Sequence, residues 1–181
     1  MSDRPLVRWT EEECDTAHDE WGANCGPHSI AAALGKTLKE VRPHIPNFRG
    51  WMNPTQVGET IRNLGAAYEL TKGLKTKDLC DGVSRIQWEG PWLKPGVPKA
   101  AAYRQTHWIA HFGGWVLCTL AYPYAFLTRA QWERVIDLHE KGWHVTHHYK
   151  INYDFARHFW EDSSRPLRQL RSRQGLPRSS S

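Results

Sequence analysis

The sequence predicts an α+β domain, with helices in the first part of the chain and an antiparallel sheet in the second part. Two observations lead to this prediction. Apolar residues recur with helical spacing as far as Leu64, whereas from Ala67 onward they alternate along short segments separated by glycine and proline. The chain has 181 residues, which is enough to bury one hydrophobic core, so we expect a single domain over residues 1–160.

Three successive helices are expected in the first part. Each predicted helix opens with a capping residue or a first-turn proline and ends at a glycine or a proline. The three starts lie at or near Cys25, Thr37 and Asn53. Residues 1–20 before them are mixed in composition, with an acidic stretch from Glu11 to Glu20, and are expected to form a solvated segment that leads into the first helix.

The clearest strands of the second part form a β-hairpin at residues 106–119, where Gly113-Gly114 separates two apolar segments. Because side chains alternate along a strand, His107 and His111 are expected to share one face and Trp108 to lie on the other. The remaining predicted elements are strands at 68–70, 85–88 and 143–152 and a helix at 128–139.

The positive charge of the chain is concentrated at its C-terminal end. The net charge is +5, and residues 163–181 contain five arginines and no acidic residue, so the rest of the chain has no net charge. We expect residues 161–181 to form a disordered basic arm. Such an arm either contacts nucleic acid weakly through phosphates or only increases solubility. The neutral folded part argues against a DNA-reading domain.

Cysteine usage and hydropathy indicate the compartment. The four cysteines lack paired spacing, which is typical of a reducing cytosol rather than of a disulfide framework. The sequence shows no leader-like apolar segment at its start and no apolar run long enough to span a bilayer. A cytoplasmic protein without membrane contact is therefore expected.

Metal and cofactor sites lack support in the sequence. His144, His147 and His148 are close together, but alternation places His147 and His148 on opposite faces of a strand. None of the spacings typical of zinc ligands accompanies them. A glycine-rich phosphate loop is also absent, so we expect neither a metal nor a nucleotide cofactor.

Cys25 is the first candidate for chemistry because it lies where a loop turns into a helix, in the stretch Asn24-Cys25-Gly26-Pro27. The positive end of a helix dipole favours a thiolate, which is the nucleophilic form of cysteine. We therefore expect Cys25 to be the most reactive of the four cysteines. The second candidate, His107, begins the first strand of the hairpin.

The Asn24-to-Pro27 stretch, followed by Thr106-His107-Trp108-Ile109-Ala110, resembles the papain-like cysteine peptidase superfamily. The similarity is greatest to its C39-like branch and to related bacterial and phage proteins, and it covers residues 20–125. The resemblance implies a papain-like fold, in which an N-terminal helical half packs on a C-terminal antiparallel sheet. It also implies that Cys25 is the nucleophile and that His107 is the general base.

The resemblance implies a cysteine hydrolase, a peptidase or amidase that cleaves a peptide or amide through an acyl-enzyme. An acyl or aminoacyl transferase is an alternative, because it uses the same intermediate. A second alternative, from a different class, is a catalytically inactive papain-like binding module whose basic arm contacts nucleic acid. The oligomeric state is left open.

The chain departs from the family pattern at two supporting residues. Residues 108–130 contain no Asp, Asn, Glu or Gln to orient the imidazole, although Cys118 occupies a convenient position on the neighbouring strand. The glutamine that helps to bind the oxyanion in the family is also missing. Asn24 and Gln105 are the candidates to replace it. The inactive alternative is based on the missing acceptor after His107.

Overall fold

A computed structural model describes residues 5–139 and 142–152 of the chain. Within these residues α-helices precede the first strand, and an antiparallel sheet with two more helices between its strands follows, which confirms the predicted α+β class. The helices are α1 (Glu11–Trp21), α2 (Cys25–Leu34), α3 (Leu38–Val41), α4 (Pro54–Asn63), α5 (Lys99–Tyr103) and α6 (Arg129–His139). The strands are β1 (Tyr68–Lys72), β2 (Gly82–Trp88), β3 (Thr106–Phe112), β4 (Trp115–Cys118), β5 (Tyr122–Thr128) and β6 (Trp143–Ile151).

The six strands form one sheet in the order β1-β6-β2-β3-β4-β5, and every pair of neighbours is antiparallel. Strand β2 lies inside the sheet, between β6 and β3, and each of its residues is buried. This burial follows from the covering of both faces of the sheet, because a strand with one solvated face would alternate between buried and exposed residues.

The two faces of the sheet pack against different helices. On one face, which we call the α2 face, a core cluster joins α2 to Val83, Trp108 and Ala110. On the other face, which we call the α6 face, a second cluster joins Trp132 of α6 to Ile109 and other strand residues. Successive residues of β3 therefore belong to different cores, as the alternation of side chains requires.

Small residues let α2 lie close to its neighbours. Gly26 to Leu34 are all buried, and Ala31, Ala32 and Ala33 give the helix a narrow cross-section. A Cβ atom added at Gly26 would lie 2.8 Å from the sulfur of Met52. The helix ends at Gly35, whose backbone adopts the left-handed conformation with φ 61°. The sequence signals at both ends of this helix are confirmed.

Two segments differ from the sequence predictions. The expected solvated lead-in contains helix α1, which begins with a capping box between Thr10 and Glu13. Its Cys14 and Ala17 are buried in the core, so α1 is part of the fold. Strand β5 was not predicted because Pro123 interrupts the apolar pattern, and the sheet order explains this proline, since β5 is an edge strand.

Two sequence predictions concern residues outside the described part of the chain. The last residues of the expected domain, 153–160, and the expected basic arm, 161–181, both lie there. Among the helices that the structure describes, none combines the length and the apolar character needed to cross a bilayer.

Candidate functional site

Cys25 is the first residue of α2, and Asn24 caps the helix. The side-chain oxygen of Asn24 accepts a hydrogen bond from the Gly26 N–H at 3.3 Å, and its side-chain nitrogen donates to the carbonyl of Gly50. Both ends of the Asn24 amide therefore hold the helix start and the loop beside it. Its predicted use as an oxyanion donor stays a prediction.

The backbone of β3 provides a hydrogen-bond donor for the Cys25 thiol. Trp88 N–H donates to the Gln105 carbonyl at 3.1 Å, so these two residues form a hydrogen-bonded pair of β2 and β3. Such pairs alternate along an antiparallel ladder. The next hydrogen-bonded pair is therefore Ile86 with His107, and the N–H of Trp108 points away from β2. Pairing with β4 begins only at Ala110. The Trp108 N–H therefore faces the start of α2, and it acts to lower the pKa of Cys25.

Burial dominates the acidity of Cys25. It raises the pKa of the thiol to about 11, even though the N–H groups of Trp108, Gly26 and Cys25 itself act in the opposite direction. The thiol is therefore protonated at neutral pH. This direction is opposite to the one expected from the helix dipole, because removal of the sulfur from water outweighs the nearby N–H dipoles.

His107 lies on the α6 face of β3, away from α2. Its ring lies 6.0 Å from that of Trp88, between centroids, and Trp88 belongs to the core under α6. The side chain is buried, and its Nε2 has no hydrogen-bond partner in the described part of the chain. Burial lowers the pKa of His107 to about 3. The structure does not bring Cys25 and His107 together, since Cys25 packs against the core of the opposite face.

Cys118 and Gln105 are the remaining predicted site residues. Cys118 is buried in the core of the α6 face, and burial raises the pKa of its thiol. Gln105 lies just before β3 and accepts the Trp88 N–H with its backbone carbonyl. His111 shares the α6 face with His107, as alternation predicts, and its ring lies 6.5 Å from that of His148, between centroids.

Arg85 is the charged residue that sequence analysis missed. It lies opposite Trp108 in the register of β2 and β3, and Cys25 is among the groups whose charge opposes the lowering of its pKa by burial. Its Nη2 donates to the Thr106 hydroxyl at 3.1 Å, and its guanidinium lies 5.3 Å from the centre of the Tyr103 ring. The signal in the sequence was an arginine within the predicted strand at 85–88, whose burial no local pattern showed.

Among the residues that the structure describes, none provides an acidic partner for the guanidinium of Arg85. Only 9% of the residue is exposed, and its Nε is buried without a hydrogen bond. Among residues 5–139 and 142–152, the ion pairs are Arg129 with Glu133 and Lys150 with Glu69. Arg85 is thus a buried cation without a counter-charge in the described part of the chain, and burial lowers its pKa.

One exposed aromatic side chain lies at this cation, and another follows the loop residue that is hydrogen-bonded to the N-cap of α2. Tyr103, which stacks on Arg85, is 58% exposed, and Trp51 is 63% exposed. Trp51 follows Gly50, which accepts the hydrogen bond from Asn24. We call Asn24, Cys25, Trp51, Arg85 and Tyr103 the Cys25 surface. It combines a helix N-terminus, a cation and two accessible rings.

The described residues also include two cysteine–histidine pairs, and neither was predicted. In the core, the Cys14 sulfur lies 3.1 Å from His28 Nε2. Near the surface, the Cys80 sulfur lies 3.1 Å from His148 Nε2. The partners are 14 and 68 residues apart in sequence and belong to no recognisable motif, so only the tertiary structure identifies them.

Comparisons of the chain with protein-family models, with curated proteins and with solved structures give no match. The chemistry of the site is therefore derived from its own residues. Within the described ranges, no group of three or more His, Cys, Asp or Glu side chains is arranged to hold a metal ion.

Proposed function

We propose that the chain is a papain-like binding module that holds an anionic ligand, the carboxylate of a peptide, at the Cys25 surface. The observation that supports this proposal is the guanidinium of Arg85, which is 9% exposed and has no acidic partner among the described residues. A buried charge without a partner costs several kcal/mol. A bound carboxylate would remove much of that cost.

The chemistry of the Cys25 surface favours a carboxylate over other ligands. A guanidinium presents a planar fork of donors that fits the two oxygens of a carboxylate. Cys25 is the first residue of a ten-residue helix, whose positive end attracts the same negative charge. The exposed rings of Trp51 and Tyr103 offer apolar area to the rest of a peptide.

Binding without turnover is favoured by the positions of the two predicted catalytic residues. A general base must lie about 2.6–3.2 Å from the proton that it takes, whereas His107 packs against Trp88 on the α6 face. The hydrolase and the transferase implied by the sequence resemblance both need His107 on the α2 face. Both stay predictions, as do the papain-like assignment, the cytoplasmic location and the nucleic-acid contact of residues 161–181.

Peptide binding tests the proposal directly. We suggest titrating the protein with N-acetyl-tetra-alanine that has a free C-terminal carboxylate and with the same peptide as its C-terminal amide. Tryptophan indole NMR signals report binding, because Trp51 is exposed beside the proposed site. We expect the carboxylate form to bind at least about tenfold more tightly, corresponding to one charge-assisted contact of about 1.4 kcal/mol or more.

Arg85→Met should abolish the preference for the carboxylate, because it keeps an apolar stem and removes the cation. Arg62→Met is the matched control, since Arg62 also lies over a tyrosine ring, that of Tyr68 at 5.8 Å, but on the surface. Equal affinities for the two peptides, or equal losses in the two variants, would refute the proposal. Peptide cleavage that requires both Cys25 and His107 would instead favour the hydrolase.

A further inference from the structure

The loop before β2 carries a thiol whose surroundings differ from those of Cys25. Cys80 is exposed, whereas Cys14 and Cys118 are buried and Cys25 is half-buried. Its sulfur lies 3.1 Å from Nε2 of His148. His148 is 1% exposed and lies on β6, so an accessible thiol is hydrogen-bonded to an imidazole that the fold holds in place.

A third side chain orients this imidazole. The Ser84 hydroxyl lies 2.8 Å from Nδ1 of His148, and Ser84 and His148 are opposite each other in the register of β2 and β6. When Nδ1–H donates to the Ser84 oxygen, Nε2 is left as an acceptor for the thiol proton. The nucleophile Cys80 is thus within hydrogen-bond distance of the base His148, and His148 is within hydrogen-bond distance of the orienting residue Ser84.

We propose that Cys80, His148 and Ser84 form a site for reversible thiol–disulfide exchange, at which Cys80 takes up a small disulfide as a mixed disulfide. The Cys80 sulfur attacks one sulfur of the disulfide. A new S–S bond forms to Cys80 while the original S–S bond breaks, so Cys80 is oxidised and the departing sulfur is reduced. The thiol proton passes to His148 Nε2 and then to the departing thiolate.

A disulfide fits this site better than a carbonyl compound. Attack on a carbonyl concentrates negative charge on one oxygen, which needs donors aimed at it. The charged groups that act on the Cys80 sulfur include the carboxylates of Asp81 and Glu69, which would oppose an oxyanion. Disulfide exchange spreads the charge over three sulfur atoms instead and needs only a thiol, a proton acceptor and access.

The charges around the pair set its pH behaviour. Burial and the two carboxylates raise the pKa of Cys80, and Lys150 opposes them. Burial, followed by the charge of Lys150, lowers the pKa of His148 to about 4, and the ring of His111 lies 6.5 Å from that of His148, between centroids. His148 is therefore a neutral proton acceptor at pH 6, where an isolated thiol of raised pKa has almost no thiolate.

The test measures the reaction of Cys80 with 2,2′-dithiodipyridine, an uncharged disulfide, at pH values from 6 to 9. Release of pyridinethione gives the rate, and subtraction of the rate of Cys80→Ser isolates the Cys80 reaction. An unassisted thiol slows about tenfold for each pH unit below its pKa, or about 1,000-fold from pH 9 to pH 6. We expect the Cys80 rate to fall by less than about 30-fold, because His148 Nε2, 3.1 Å from the sulfur, takes the proton while the new S–S bond forms rather than before it.

His148→Asn should give the Cys80 rate the steep pH dependence of an unassisted thiol, with a rate at least about tenfold lower than that of the parent at pH 6 and nearly equal to it at pH 9. Ser84→Ala, a smaller change to the core, should lower the pH 6 rate several-fold, and circular dichroism checks the folding of both variants. A fall of about 1,000-fold in the parent itself would refute the proposal without any variant. A Cys25 rate above that of Cys80 would refute it as well, and neither result depends on carboxylate binding.

Discussion

Acid should unfold this protein early, because three neutral histidines are buried on the α6 face. His107, His111 and His148 are 5%, 6% and 1% exposed. Burial lowers the pKa of His107 and His111 to about 3 and, together with Lys150, that of His148 to about 4. For His111, the charges of His148 and Arg129 act in the same direction as burial.

The direction and the size of this loss of stability follow from the linkage between proton binding and folding. A histidine in the unfolded chain has a pKa of about 6.5, so the unfolded state binds more protons than the folded state as the pH falls below that value. The stability present above pH 6.5 is then lost until the pH reaches the folded pKa of about 3 or 4. Each group contributes a slope of about 1.4 kcal/mol per pH unit, and the three together lose about 6 kcal/mol between pH 7.5 and pH 5.

This loss is as large as the whole stability of many domains, about 5–15 kcal/mol. The assay is urea unfolding followed by tryptophan fluorescence at pH 7.5, 6 and 5. His107→Phe should reduce the slope of free energy against pH by about one third, since it removes a titrating group whose Nε2 has no partner in the described structure.

Ile109→Val is the matched control. Ile109 is fully buried between His107 and His111 on the same face of β3, and its shortening should cost about 0.5–1.5 kcal/mol equally at every pH. The reasoning would be refuted by a parent whose stability is the same at pH 7.5 and pH 5. Equal slopes for His107→Phe and the parent would exclude His107 as one of the titrating groups.

Two further predictions concern the packing of single residues. Cys14→Ala should destabilise the fold by about 1–3 kcal/mol, because it leaves His28 Nε2, which lies 3.1 Å from the Cys14 sulfur, buried without a partner. Thermal unfolding should show a lower Tm. Cys14→Ser should recover part of the lost stability. Gly82→Ala should lower the free energy of unfolding by about 3 kcal/mol or more, because Gly82 has φ 146° and an added Cβ would overlap the Tyr149 carbonyl of β6. Gly65→Ala is the control in the same unfolding assay, since Gly65 has φ 81° but open space around it.

Local signals in the sequence were sufficient for several elements of the fold. The Gly113-Gly114 turn between two apolar segments identified the hairpin that became β3 and β4, and the Asn53-Pro54 signal identified the start of α4. The division of β3 into two faces was predicted as well, because alternation depends only on the geometry of an extended chain.

The candidate site was harder to predict because it depends on contacts between distant residues. The alternation of side chains places His107 and Trp108 on opposite faces of β3 but does not determine which of the two faces packs against α2. That choice depends on the shape and apolar area of the whole sheet and of the helices that cover it. The pairing of Cys80 with His148 depends on the order of β2 and β6 in the sheet, which no local pattern contains. Arg85 was overlooked because its burial, which comes from the covering of both faces of β2, is a tertiary property.

The packing of β3 explains why His107 lies away from α2. A shift of β3 by one residue would move every side chain of the strand to the opposite face. His107 would then reach the α2 face, but Trp108 would leave it and lose the hydrogen bond from its indole to the Met52 carbonyl, which is 2.9 Å long. Ala110, fully buried on the α2 face, would be replaced there by the larger Ile109 or His111. The close approach of α2 requires a small residue at that position, so the same packing that holds the helix start near Arg85 keeps His107 on the α6 face.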